Sequence, residues 1–164
     1  MANRTAWTGG LLNSGLGWTA LFGSELNQAS FATGDAILSS VTITNGSSLD
    51  MFFDVSFEMV ISSNTIVAGA NFVLWLMPLM EDGSTYGDNS LTTTAAAVTP
   101  GLYPKLIMPL RPATAQTTLY GVNNDPLIMP PGSWAAGFQN NCGFTLASSG
   151  NVAKFRSYNI NLNS

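Results

Sequence analysis

The chain has 164 residues and a net charge of −4 at neutral pH; only 9% of its residues are charged, while 46% are hydrophobic. Ordinary soluble domains are about one-quarter charged, so solvation here has to come from Ser, Thr, Asn, Gln and Gly. There is no histidine and a single cysteine, Cys142, which excludes an intramolecular disulfide, catalysis by a histidine base and a Cys/His metal centre.

This length fits one domain, since domains commonly hold ~100 to 200 residues. The acidic balance repels phosphate backbones, and Arg4, Lys105, Arg111, Lys154 and Arg156 form no basic run, so no nucleic-acid partner is expected. Val67 to Met80 is the most apolar run. Gly69, Asn71 and Pro78 interrupt it, and it falls short of the ~20 apolar residues of a membrane helix, so no membrane partner is expected. The opening Met1-Ala-Asn-Arg4 runs into Trp7-Thr-Gly-Gly10 rather than an apolar core. That pattern is not a signal peptide, and synthesis in a cytoplasm is expected.

Residues 1–30 read as an N-terminal extended arm. Gly9, Gly10, Gly15, Gly17 and Gly23 are interspersed with Trp7, Trp18 and Phe22, giving a pliable backbone with a few large apolar anchors. Leu21, Phe22 and Leu26 fall one helical turn apart, which predicts a short helix over residues 21–28. Aromatic side chains on such an arm suit docking on a protein surface, which makes Trp7, Trp18 and Phe22 the candidate contacts with a partner protein or a neighbouring subunit. Deleting the arm is expected to leave the remaining domain folded.

Residues 31–164 read as a β-sandwich domain. Ala36 to Thr44 predicts a strand, and Asn45-Gly-Ser-Ser48 predicts the turn after it. From Met51 to Ile61, alternation puts Met51, Phe53, Val55, Phe57, Met59 and Ile61 on a core face and Phe52, Asp54, Ser56, Glu58 and Val60 on the other. Asn71 to Met80 is nearly all apolar, as a strand covered on both faces would be, and Pro78 stands near its end. Further strands are expected at residues 103–110, 115–121, 134–140 and 152–162. About eight short strands with long crossings between them predict an all-β chain: one jelly-roll-like antiparallel β-sandwich.

The chemistry on offer is sparse. Glu81 to Asn89 gathers acids, Gly and Ser that suit calcium in principle, but its spacing is not that of an EF-hand and it equally describes a solvated hairpin tip. Asp54 and Glu58 share a strand face but sit ~13 Å apart along it, too far for a glycosidase pair. Cys142 reads as a small buried apolar residue, because nothing in the sequence offers a base to activate it. No catalytic residue, cofactor or metal site is expected, and the chain reads as a structural or binding protein rather than an enzyme.

Three segments carry a family likeness: Asn71-Phe-Val-Leu-Trp-Leu-Met-Pro-Leu-Met80 running into Glu81-Asp-Gly-Ser-Thr-Tyr-Gly-Asp88, then Leu127-Ile-Met-Pro-Pro131, and Asn140-Asn-Cys-Gly143 leading to Ser149-Gly150. Over residues 36–162 the chain resembles the head cement, or decoration, proteins of tailed bacteriophages. These have an Asp-Gly-x-x-Tyr-x-Asp-Gly hairpin; here Asn89 replaces its last glycine, and asparagine also tolerates a left-handed backbone. The resemblance implies a jelly-roll protein on the capsid surface of a virion, made in the bacterial cytoplasm. It would bind the major capsid protein, bridge neighbouring capsid subunits and assemble as a homo-oligomer, a dimer or trimer. The competing reading is a tail or fibre-associated module that binds host carbohydrate through exposed aromatic residues.

Overall fold

The computed structural model describes residues 5–10, 12, 17–123 and 125–162, of which 5–7, 62, 63, 161 and 162 are described by backbone alone. In chain order the strands are β1 (Thr5–Gly9), β2 (Thr19–Ala20), β3 (Ala36–Asn45), β4 (Phe52–Ile66), β5 (Asn71–Pro78), β6 (Leu106–Pro109), β7 (Ala113–Val122), β8 (Leu127–Ile128), β9 (Gly132–Asn141) and β10 (Val152–Leu162). They form two antiparallel sheets, so the chain is an all-β sandwich. One sheet runs β1-β10-β4-β7, with β2 also on β10 and β8 also on β4; the other runs β3-β9-β5-β6. Four sets of these pairings nest one inside the next, β1 and β2 with β10, β3 with β9, β4 with β7 and β8, and β5 with β6, while β10–β4 and β9–β5 join them into the two sheets.

Alternation along β4 builds half of the core. Phe53, Val55, Phe57, Met59 and Ile61 are all buried, and the intervening side chains face outward. Opposite them, Phe138 of β9 is ringed by Phe22, Phe31, Phe57 and Phe72 at centroid distances of 5.2 to 6.1 Å. Trp134 packs on Phe53 and Phe155. Burying each such side chain contributes about 1.5–3 kcal/mol. β5 is covered on both faces, as its continuous apolar run predicts. Phe72 and Leu74 join the main core, while Val73, Trp75 and Met77 pack with Ala36 and Leu91 in a smaller cluster.

The first thirty residues depart from the expected arm. β1 and β2 are sheet strands on β10, and Leu21, Phe22 and Leu26 lie in the main core. These apolar side chains have an open core edge beside them, and burial there outweighs the flexibility of the glycines between them. Gly10 marks a close approach rather than a hinge: a Cβ there would fall within 3 Å of Ser157 and of the Asp50 carboxylate. The helix expected over 21–28 is a single 3-10 turn, Glu25–Asn27. Met51, expected on the core face, precedes β4 and is half exposed, so the buried alternation begins at Phe53.

Candidate functional site

The sequence-based contact residues separate in space. Phe22 is buried, edge-on to Phe138, and so offers no surface to a partner. Backbone pairing sets Trp7 opposite Ile160 at the sheet edge, but its side chain lies outside the described residues. Trp18 is 38% exposed and stands on the outer face of the first sheet, with the Arg156 guanidinium 4.9 Å from its ring centre. Trp75 is core, its indole N–H donating to the Leu102 carbonyl at 3.1 Å, and Trp134 is fully buried.

Three exposed apolar side chains gather where β3 turns into β4. Asn45, itself buried, fixes this loop: its amide donates to the carbonyls of Asp50 and Pro130 at 2.8 and 3.1 Å, and its oxygen accepts from the Asp50 N–H and the Ser48 hydroxyl. The loop so held puts Leu49 at φ +49° and leaves it 61% exposed. A left-handed backbone costs a residue with a Cβ roughly 1–2 kcal/mol, so this leucine is displayed against local preference. Met51, at 51%, and Ile128 of β8, at 66%, stand beside it. Together with Phe52, Met129 and Pro131 they line an open groove of about 320 Å³. Its base is braced: Met129 N–H donates to the Met51 carbonyl, Met51 N–H to Asn159 Oδ1, and Asn159 in turn to Asp50. Sequence reasoning placed Met51 in the core and gave Leu49 no role, because an isolated leucine in a turn carries no periodic signal. The Pro-containing step at 127–131 and the turn at 45–48 are each legible in the sequence, but their meeting across about 80 residues is not.

The acidic segment is a hairpin closed by its own carboxylates. Asp82 accepts from the N–H groups of Ser84 and Thr85 and from the Thr85 hydroxyl, and these bonds, the Thr85 hydroxyl foremost, hold its carboxyl down at about 2. Asp88 accepts from Ser90 and from Gly101 N–H and is also lowered, chiefly by the Ser90 hydroxyl. Asn89 adopts φ +58°, the left-handed backbone expected of it. Among the described residues no three His, Cys, Asp or Glu side chains cluster as a metal site.

Asp54 and Glu58 are held apart. Asp54 accepts from Arg156 Nε and from the Tyr158 hydroxyl, each at 2.9 Å, while Glu58 pairs in register with Val152 and Tyr120 further along β4. Burial, then the Asp54 hydrogen bond, push the Tyr158 hydroxyl up. Cys142 is fully buried, its thiol donating to the Phe144 carbonyl at 3.3 Å, and burial raises its pKa, as suits an inert core thiol.

No family model, no curated protein and no solved structure matches the chain.

Proposed function

We propose that the chain is a structural virion protein: a jelly-roll cement, or decoration, protein that sits on the outside of a phage head and bridges neighbouring major-capsid subunits. The observation that carries this reading is the Leu49 loop. A buried asparagine holds a large apolar side chain in a left-handed backbone and displays it beside Met51 and Ile128. Backbone strain of this kind marks sites under a functional constraint, and contiguous exposed apolar surface marks a protein contact. The nested strand pairing supports the jelly-roll part of the reading. The resemblance of residues 36–162 to cement proteins supports the capsid part. Repetition over a lattice gives modest individual contacts their strength through avidity, and this holds whether the bridging unit is a dimer or a trimer.

The test has two arms. Quantitative mass spectrometry of purified virions, with the major capsid protein as internal standard, should find a copy number in simple ratio to that protein. A tail-like handful of copies, or none, overturns the reading. In the second arm, Leu49→Asp with Ile128→Asp should abolish binding to heads lacking the protein while leaving its melting temperature close to that of the parent, since both side chains are exposed. Undiminished binding would remove this groove as the contact.

A further inference from the structure

A second surface lies on the outer face of the first sheet and shares no lining residue with the Leu49 groove. It is an open trough of about 490 Å³, and the strand register dictates its layout. Lys154 of β10 faces Ser56 of β4, and Ser56 faces Val122 of β7; in the adjacent row Val152 faces Glu58, and Glu58 faces Tyr120. Trp18, next to β2, stands on one bank and Tyr120 on the other, three strand spacings or ~14 Å away. Between them the floor is formed by Ser56, Glu58, Val152 and Lys154.

Trp18 is positioned in advance. Arg156 lies over its ring, Asp54 holds Arg156 by a salt bridge of 2.9 Å, and the Tyr158 hydroxyl donates to the other oxygen of Asp54. A relay of three side chains therefore orients an indole that the core does not use. Tyr120 is 72% exposed. Glu58 and Lys154 are exposed and enter no ion pair among the described residues, which leaves an acceptor and a donor free on the floor.

We propose that this trough binds an oligosaccharide. A protein–protein contact concentrates its aromatic anchors at the centre and charged groups at its rim; here the aromatics stand on the two banks and Ser56, Glu58 and Lys154 lie between them, with Val152 among them and Val122 beside Tyr120. A sugar chain matches that order, because its rings present C–H faces to aromatic planes and hydroxyls to carboxylate, ammonium and serine. Polyanions are disfavoured by the net charge of −4. The trough has no roof, so a chain longer than the floor can lie across it. Rigid positioning of Trp18 lowers the ordering cost of binding. This inference does not depend on attachment to a head, because the isolated protein carries the whole trough.

The experiment is an array of immobilised bacterial and animal oligosaccharides probed with the purified full chain, followed by calorimetric titration of the best-bound sugar. Binding is expected, weakened about tenfold or more by Trp18→Ala and by Tyr120→Ser, with Lys154→Ala also weaker. Tyr120→Ser keeps the test valid should Trp18→Ala disturb β2, since Tyr120 makes little buried contact. No retention of any sugar, or equal affinity in the Trp18 and Tyr120 variants, overturns the proposal. Loss of head binding in the Tyr120 variant with no sugar affinity in the parent would reassign the face to a protein contact.

Discussion

Asn151 joins three parts of the chain through one amide. Its oxygen accepts from Val60 N–H at 2.8 Å, and its nitrogen donates to the carbonyls of Leu26 and Ala147 at 2.8 and 2.6 Å. Its own N–H is received by Asn27 Oδ1. Nothing in the sequence distinguishes this asparagine from its neighbours, because its partners lie on β4, in the 3-10 turn and in the β9–β10 loop. Asn140, by contrast, belongs to a readable Asn-Asn-x-Gly turn, and its side chain accepts from Cys142 N–H and donates to Phe144 and Phe31. Truncating Asn151 leaves a buried donor and two acceptors short of partners, each costing about 1–3 kcal/mol in such settings. Asn151→Ala is therefore expected to lower unfolding free energy by about 3 kcal/mol or more in urea titrations and to speed hydrogen exchange at Val60. A loss below about 0.5 kcal/mol would mean water replaces the amide without penalty.

At the scale of elements, alternation, apolar runs and the turn residues between them made β3, β4, β5, β6, β7, β9 and β10 legible, although β7 buries only Leu119. β1, β2 and β8 were not legible. β2 and β8 have two residues each and β1 five, so they join the sheet by pairing with a long strand rather than by a pattern of their own. The same blindness turned the first thirty residues into a detachable arm. Leu21, Phe22 and Leu26 are each buried, and at about 1.5–3 kcal/mol apiece they amount to a large part of the 5–15 kcal/mol that holds an ordinary domain together. Deleting residues 1–30 also uncovers the edge of β10. The truncated chain is thus expected to lose its cooperative thermal transition and to aggregate, measured by circular dichroism and size-exclusion chromatography. A sharp melt within a few degrees of the full chain would restore the arm. Surface variants are accordingly the proper test of contact at this end of the molecule. Of the candidate sites, Trp18 could be picked out as an aromatic anchor in a glycine-rich stretch, but Tyr120 could not. They meet only through the register of β10, β4 and β7.

The whole molecule inherits an unusual pH response from its composition. With no histidine, it lacks the side chain whose ordinary titration falls between pH 5 and 8, and the shifted groups lie to either side of that window. On the acid side, Asp82 falls from 3.8 to about 2 and Asp88 is also lowered. The unfolded chain then binds more protons than the folded one, so their contribution is present above about pH 4 and is lost as pH falls through the folded values. On the alkaline side, Cys142 and Tyr158 are raised above 9.0 and 10.0. The unfolded chain gives up those protons first, so stability is full below these ordinary values and declines as pH rises past them. Urea midpoints measured from pH 2 to 11 should trace a plateau across pH 5 to 8 with a shoulder falling away at each end. Asp82→Asn should flatten the acid shoulder, and Cys142→Ala the onset of the alkaline one, while neither moves the plateau's width toward neutrality. A slope between pH 5 and 8 would contradict this account, since it requires a titrating group that the hydrogen-bonded hairpin, the core thiol and the Tyr158–Asp54 pair do not supply.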